Sequence, residues 1–222
     1  MKKIIFSLAL LAGFTSAANA QTGVRYGIKG GYNLATFSGP DSKSSEYKSG
    51  FSAGGFLNFG VANIISIQPE LLYSQKGASI ANFQGTDARF KSTIGYLDVP
   101  IMVRVNTGDN GQGLFFELGP QGSFVLHNRD FTQTGNTRTQ VTDNTSTDDL
   151  NKVVLGYAAG LGYQLTSGLS LGLRYTGDFS QVYKDGASKN YTSALYTNGN
   201  GKNPNVHNSV FQFQVGYSFG GK

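Results

Sequence analysis

The sequence contains no cysteine and no tryptophan, and only 14% of its 222 residues are charged. The absence of cysteine excludes a disulfide framework and any metal site with Cys ligands. Small exported domains often depend on disulfides, so this chain must be stabilised in another way. Lys and Arg form no dense run or cluster of the kind that nucleic-acid-binding proteins carry, and we therefore expect no nucleic-acid partner.

Long hydrophobic runs are also lacking. No segment after residue 20 approaches the roughly 18 consecutive apolar residues that a membrane-spanning helix needs. The apolar run at 4–14 follows two lysines and precedes small residues that end in ANA at 18–20. This pattern is typical of a cleaved secretory signal peptide, and the run is too short for the alternative, an anchor helix. We predict a signal peptide over 1–20 and a single exported domain over 21–222. Without the two lysines, 16 basic residues face 13 acidic ones, a net charge of +3.

The mature chain is rich in glycine, tyrosine and phenylalanine, and its hydrophobic residues alternate with a period of two. In the run VRYGIKGGYNLATF at 24–37, for example, Val24, Tyr26 and Ile28 share one parity while Arg25 and Lys29 have the other. Since successive side chains of a strand point to opposite faces, each such run predicts a strand with one apolar and one polar face. The pattern predicts an all-β fold with eight strands, at 24–37, 49–61, 64–76, 92–105, 114–126, 153–165, 169–180 and 209–219.

The connections between these strands alternate between long and short. Tight turns are predicted near 62–63, 106–113 and 166–168, and the two longest loops at 127–152 and 181–208. An even number of strands brings both termini to the end with the tight turns. In outer-membrane barrels that end faces the periplasm, so the long loops would face outward.

Two kinds of barrel fit the two-faced strands. A soluble barrel of the lipocalin type would place the apolar face inside, around a ligand. A transmembrane barrel would place it outside, against lipid. Three features favour the membrane: glycines concentrate on the polar face, the runs are long enough for a tilted membrane crossing, and aromatic residues recur near both strand ends. We therefore predict an eight-stranded antiparallel up-and-down transmembrane β-barrel.

The polar faces carry nine charged residues, five basic and four acidic, which should point into the lumen: Arg25, Lys29, Glu70, Lys76, Asp98, Arg104, Glu117, Arg174 and Asp178. Buried charges have to be paired, and a nearly balanced set allows pairing. We expect a static salt-bridge plug that closes the lumen, centred on Glu70, Asp98 and Arg104. The alternative is a gated or narrow pore whose ion pairs exchange partners.

Three prolines, Pro69, Pro100 and Pro120, fall inside predicted strands. Proline cannot donate a hydrogen bond to the strand ladder. We expect a band of β-bulges or broken ladder bonds at these positions, unless the prolines mark strand starts.

Several of these stretches resemble the outer membrane protein β-barrel domain family, often labelled porin-family or PorT-family proteins. The resemblance is carried by SIQPELLYSQKGA at 66–78, IGYLDVPIMVRVN at 94–106, FFELGPQGSFVL at 115–126 and GYAAGLGYQL at 156–165. It implies an eight-stranded barrel similar to the OmpA transmembrane domain and to OmpX, located in the bacterial outer membrane. The usual terminal aromatic residue is displaced here, because Phe219 precedes Gly220-Gly221-Lys222.

The resemblance implies outer-membrane lipid, periplasmic chaperones and the barrel-assembly machinery as partners, and we expect a monomer with an extracellular ligand that the sequence does not identify. Three functions remain open at this stage. The first is a structural or surface-interaction protein acting through its outer loops, the second a narrow porin-like channel for small solutes, and the third an enzyme using loop residues. We favour the first.

Sites for chemistry are sparse. The sequence has only two histidines, His127 and His207, both in predicted outer loops and without the arrangement that a Ser-His-Asp site needs. We therefore predict no catalytic residue, no cofactor and no metal site.

Overall fold

A computed structural model of the chain describes residues 24–42, 45–81, 88–108, 111–134, 137–187 and 202–219. The predicted signal peptide lies outside these ranges. Within them no helix is both long and apolar enough to cross a bilayer. The strands are β1 Val24–Ser38, β2 Ser45–Glu46, β3 Lys48–Gly60, β4 Ile65–Lys76, β5 Ser79–Ile80, β6 Ala88–Asn106, β7 Gly113–Thr134, β8 Thr137–Asn144, β9 Val153–Gln164, β10 Leu169–Asp178 and β11 His207–Phe219.

Eight of these strands form the wall of a closed barrel, in the order β1, β3, β4, β6, β7, β9, β10 and β11. Each wall strand pairs antiparallel with the next, and β11 returns to pair with β1. The closed ring leaves no unpaired edge, which is the condition for a sheet in a bilayer. The predicted up-and-down barrel of eight strands is confirmed.

The outer face of the wall is apolar and the inner face is polar. In β4, Ile67 and Leu71 are 41% and 54% exposed on the outside, while Gln68 and Glu70 between them are buried inside the barrel. The same alternation runs along the other wall strands. A lipocalin-type barrel would have its apolar face inside and its polar face outside. The observed arrangement is the opposite, so the soluble alternative is excluded.

Aromatic side chains form a band near each end of the outer face. Near one end the rings of Phe51 and Tyr73 lie 5.5 Å apart, and those of Tyr73 and His127 lie 6.1 Å apart. Near the other end the rings of Tyr26 and Phe219 are stacked at 5.6 Å. Such bands sit at the headgroup levels of a bilayer, so they mark where the barrel enters and leaves the membrane. We call the end with the termini and the tight turns the lower end, and the other the upper end.

The wall rises further at the upper end than predicted. Strands β6 and β7 begin earlier and end later than expected, and the short strands β2, β5 and β8 continue the sheet beside them. Residues 127–134 are therefore part of β7, and 137–144 form β8, so the prediction of one long loop over 127–152 is wrong. The pairing of β6 with β7 shifts by one residue between Gly95 and Tyr96, which leaves Leu126 as the extra residue of a β-bulge.

The prolines interrupt the ladder without bulges. Pairing between β4 and β6 stops at Pro69 and resumes at Leu72 in the same register, and pairing between β6 and β7 stops at Pro100 and resumes at Val103. Pro120 pairs with β9 within an unbroken register. The prediction was a band of bulges or broken ladder bonds, and broken bonds occur beside all three prolines, because Pro120 lies opposite Ile101 in the unpaired stretch between β6 and β7. The register does not shift at any of the three, so the band consists of broken bonds and not of bulges.

Candidate functional site: the closed lumen

The middle of the lumen is filled by four charged side chains, Lys29, Glu70, Glu117 and Arg174, which we call the central ion cluster. Arg174 on β10 donates from Nη1 to Glu70 Oε2 at 2.7 Å and from Nη2 to Glu70 Oε1 at 2.9 Å. Its Nε donates to Glu117 Oε1 at 2.8 Å. Lys29 Nζ donates to Glu70 Oε1, also at 2.8 Å. The fork of one guanidinium on β10 thus joins carboxylates from β4 and β7 inside the barrel.

The central ion cluster is neutral and almost completely removed from solvent. Two bases face two acids, and none of the four side chains is more than 8% exposed. Gln68 adds a further bond by donating to Glu70 Oε1 at 2.8 Å. Removing charges from water is costly unless they are paired and hydrogen-bonded, and here each charge has an opposite partner. The cluster therefore fills the centre of the lumen with paired charges.

Glycine makes the space for this cluster. Gly160 on β9 pairs directly with Glu117 on β7. A Cβ atom at position 160 would lie 3.1 Å from Glu117 Oε1 and 2.9 Å from the Leu173 carbonyl oxygen, closer than Cβ atoms normally approach. The sequence therefore places a residue without a side chain where the carboxylate has to lie.

Below the cluster, two arginines occupy the lower end of the lumen. Arg25 Nη2 donates to Asn58 Oδ1 at 3.1 Å. Arg104 donates from Nη2 to Gln164 Oε1 at 3.1 Å, and its guanidinium carbon lies 3.6 Å from the centre of the Phe115 ring. A cation over an aromatic face is stabilised by the ring quadrupole, so Arg104 is held by an amide and a ring.

Above the cluster, a second set of polar side chains surrounds Lys76 and Asp178. Lys76 Nζ lies 3.0 Å from Asp98 Oδ1 and donates to Ser123 Oγ at 2.9 Å. Asn208 donates from Nδ2 to Asp178 Oδ2 at 2.7 Å. Each of these contacts joins side chains of two strands inside the barrel.

The upper end of the lumen is filled by an apolar cluster rather than by charges, and we call this cluster the apolar cap. Its members are all 4% exposed or less: Phe37, Ala78, Ile94, Tyr96, Leu150, Val154, Val182, Tyr183 and Val206. Those at 150, 182, 183 and 206 come from outer connections that fold into the barrel mouth, whereas the wall supplies most of the others.

Backbone hydrogen bonds hold the connecting segments of the cap together. Leu150 and Tyr183 form an isolated antiparallel bridge. Val182 accepts from the Asn151 N–H at 2.9 Å and donates its own N–H to Val206 O at 2.9 Å. Burial raises the pKa of the Tyr183 phenol, so this hydroxyl stays neutral within the cap. Three chain segments are thereby fixed across the mouth of the barrel.

The structure places all nine sequence-predicted charges inside the barrel, buried or half-buried. The centre of their contacts differs from the predicted one. Glu70 lies in the central ion cluster, but Asp98 pairs above it with Lys76 and Arg104 lies below it. Arg174 joins the two glutamates instead. Alternation of polarity gives the face of a residue but not which inward side chains meet across the lumen.

The two histidines lie in strands, not in the predicted loops, because β7 extends past 127 and β11 begins at 207. His127 Nε2 shares a hydrogen bond of 3.0 Å with Tyr73 Oη on the outer face. His207 Nδ1 lies 3.0 Å from the carbonyl oxygen of Ser180. Among the described residues, no three His, Cys, Asp or Glu side chains are grouped as a metal site requires.

A closed eight-stranded sheet with an apolar outer face, two aromatic bands and an ionic interior defines a transmembrane β-barrel protein. The family model of the outer membrane protein beta-barrel domain matches residues 19–184, more than half of the chain. The chain belongs to this family, and it is a β-barrel protein of the bacterial outer membrane.

Three solved structures illustrate the likeness. Neisserial surface protein A (NspA) has a TM-score of 0.44 and 16% identity, over 89% of this chain and 99% of NspA. Ail, the attachment invasion locus protein of Yersinia pestis, has a TM-score of 0.44 and 11% identity, over 88% and 98%. The outer membrane protein OprG of Pseudomonas aeruginosa has a TM-score of 0.36 and 11% identity, over 89% and 95%. A search of curated proteins found no significant match to this chain.

Proposed function

We propose that this protein is a closed barrel that acts as a structural or surface-interaction component of the outer membrane, through the segments at its upper end. The observation that carries the proposal is the double closure of the lumen, by the central ion cluster and by the apolar cap. Eight strands enclose an interior just wide enough for side chains to fill. Here those side chains are paired across the lumen.

The position of the cap supports a role at the cell surface. The connecting segments that carry Leu150, Val182 and Val206 are folded into the barrel mouth. The β7–β8 hairpin extends the sheet above this mouth. Loops and hairpins on a rigid barrel are the usual place for binding functions. We propose that the protein works as a monomer, assembled by periplasmic chaperones and the barrel-assembly machinery, and that its extracellular ligand binds at this end.

We also propose that the protein is not an enzyme. His127 on β7 is hydrogen-bonded to Tyr73, and His207 on β11 lies within hydrogen-bond distance of the Ser180 carbonyl oxygen. Neither of these contacts provides a nucleophile activated by a base and oriented by a third group.

Planar bilayer recordings test the closure. The wild-type protein, refolded and checked by heat-modifiable gel mobility, should give no stable single-channel conductance. The matched variant removes three charges of the central ion cluster and places a polar residue in the apolar cap. Its substitutions are Glu70→Ala, Glu117→Ala, Arg174→Ala and Leu150→Ser. It should conduct if it folds, and the cap variant Leu150→Ser alone should conduct less or not at all. Large, stable wild-type conductance would favour the alternative, a narrow channel for small solutes.

Arrays of glycans and matrix proteins test the surface role. Cells displaying the wild-type protein should bind at least one class of these molecules, and deletion of residues 137–144 should abolish binding while the barrel remains heat-modifiable. Binding that survives the deletion unchanged would contradict a role for this hairpin.

A further inference from the structure

A groove of about 540 Å³ lies on the outside of the barrel at its upper end, beside β3, β4, β5, β6 and β7. Cationic and aromatic side chains line it, among them Lys48, Arg89, Lys91, His127, Arg129 and Phe131. Among the described residues that line it, none carries a carboxylate. Glu46, which is not part of this lining, lies 3.9 Å from Arg89 in an exposed contact.

The strand geometry turns these cations outward. In β6, Arg89 and Lys91 have the same parity as the lipid-facing Leu97, whereas Phe90 and Ser92 are buried inside. Since side chains alternate along a strand, the two cations lie on the outer face of the wall.

The β-bulge at Leu126 turns the cation of β7 toward the same outer face. Before it, even-numbered residues such as Phe124 point outward; after it, odd-numbered residues do, so His127 and Arg129 face out while Asn128 is buried. Without the extra residue, the β7 cation would point into the barrel. Thr93 pairs with Arg129, so Lys91 and Arg129 are diagonal neighbours on the same outer face.

The groove begins at headgroup depth. His127 belongs both to the groove and to the upper aromatic band, where its ring stacks on Tyr73. The lining cations continue from this band toward the upper end, directly above the apolar wall. A molecule with a negatively charged head and hydrocarbon chains would fit this junction, with its head among the cations and its chains along the wall.

The cations also repel one another. Burial and the positive charge of Lys91 lower the pKa of Lys48 to about 8. Lys48 lies three residues beyond Phe51 of the aromatic band, outside the membrane-spanning part of β3. A bound anion would relieve this repulsion, because it adds negative charge beside Lys48 and Lys91.

We propose that this groove binds the phosphate groups of a phosphorylated lipid of the outer leaflet. Arg89, Lys91 and Arg129 would bind the phosphate oxygens, and the acyl chains would lie over the apolar outer wall below. Arginine is suited to this contact because its planar fork can donate two hydrogen bonds to one phosphate. This inference concerns the outer face and is independent of whether the lumen conducts.

Native mass spectrometry of the full-length mature protein in detergent micelles tests the proposal, with bisphosphorylated lipid A as the probe. The wild type should retain the lipid, and Lys91→Gln with Arg129→Gln should weaken its apparent affinity by at least about tenfold. The control Lys152→Gln with Lys184→Gln removes two charges from exposed positions elsewhere at the upper end and should bind as the wild type does. Arg89→Gln alone, at a side chain that is 59% exposed, should fold and weaken binding severalfold, so the test survives if the double variant does not fold.

Two further arms separate the sources of phosphate. Lipid A without phosphate groups should bind at least about tenfold more weakly than the phosphorylated form. Inorganic phosphate in the low millimolar range should not displace the phosphorylated lipid. Equal binding of both lipid forms, equal binding by the groove variants and the wild type, or displacement by inorganic phosphate would each overturn the proposal.

Discussion

The two halves of the lumen are closed by different physical means. The central ion cluster depends on a few charge-assisted hydrogen bonds, in which Arg174 serves two glutamates at once. The apolar cap depends on burying the side chains of three chain segments that converge from the upper end. Loss of one member should therefore affect the two closures differently: the cluster is left with an uncompensated charge, whereas the cap is left with a cavity.

The largest effect is expected in the cluster. Arg174→Met leaves Glu70 and Glu117 buried close together without their shared partner. We expect the free energy of unfolding to fall by about 3–5 kcal/mol, the usual cost of breaking a buried ion pair from one side. Urea unfolding in detergent micelles or vesicles, followed by tyrosine fluorescence, measures it.

Arg25→Met serves as the control for this variant, because Arg25 is only half-buried at the lower end. Its loss should cost clearly less. If both variants lose the same free energy of unfolding, the central ion cluster contributes no more to stability than the half-buried arginine at the lower end. Combining Arg174→Met with Glu70→Leu and Glu117→Leu should recover part of the stability, since an apolar replacement leaves no charge unpaired.

The next effect is expected in the cap. Leu150 is 1% exposed, so Leu150→Ala should leave a cavity and cost about 3 kcal/mol. Leu155→Ala provides the comparison, because Leu155 is 57% exposed on the lipid-facing surface. The same unfolding experiment should show the larger loss at position 150. An equal or smaller loss there would mean that the cap contributes little to closure.

A smaller effect should appear at the boundary between the polar lumen and the cap. Asn208 donates to Asp178 and, at 3.2 Å, to the hydroxyl of Tyr96, which itself belongs to the cap. Asn208→Ala removes both bonds and should cost about 2 kcal/mol, as expected for a hydrogen bond to a buried charged group. Tyr96→Phe, which removes only the second bond, should cost less in the same denaturant titration. The reverse order would contradict this assignment.

The smallest effect concerns space rather than bonding. Gly160→Ala would place a methyl group against Glu117 and should cost about 1 kcal/mol through overpacking. Gly122→Ala is the matched control on the neighbouring strand, because its nearest neighbour would be 4.0 Å away. Thermal or urea unfolding should show no loss for the control. Equal stability of the two variants would show that the cluster does not need the room that Gly160 leaves.

The sequence predicted the wall better than its contents. Alternation over about eleven to fourteen residues marks a strand and its outer face, which is why the pattern predicts that Ile67 and Leu71 face lipid and Glu70 the lumen. The pattern failed beyond Leu126, because one extra residue reverses the parity and polar residues then lie on both faces, His127 and Arg129 outside and Asn128 inside. The cap was missed for a different reason: Leu150 and Val206 stand singly in polar segments, without any period. Only the closing of the barrel brings them together.

Thiol accessibility is the most direct test of the closed lumen, and the absence of cysteine from the chain makes each introduced thiol unique. Ser123 is fully buried and bonded to Lys76, between the central ion cluster and the cap. In the folded protein, Ser123→Cys should react with a charged, water-soluble thiol reagent at least about a hundredfold more slowly than after unfolding in urea. Asp185→Cys, at an exposed upper position, should react rapidly in both states. If the thiol at position 123 reacts in the folded barrel as fast as the one at 185, the lumen is open and the double closure is wrong.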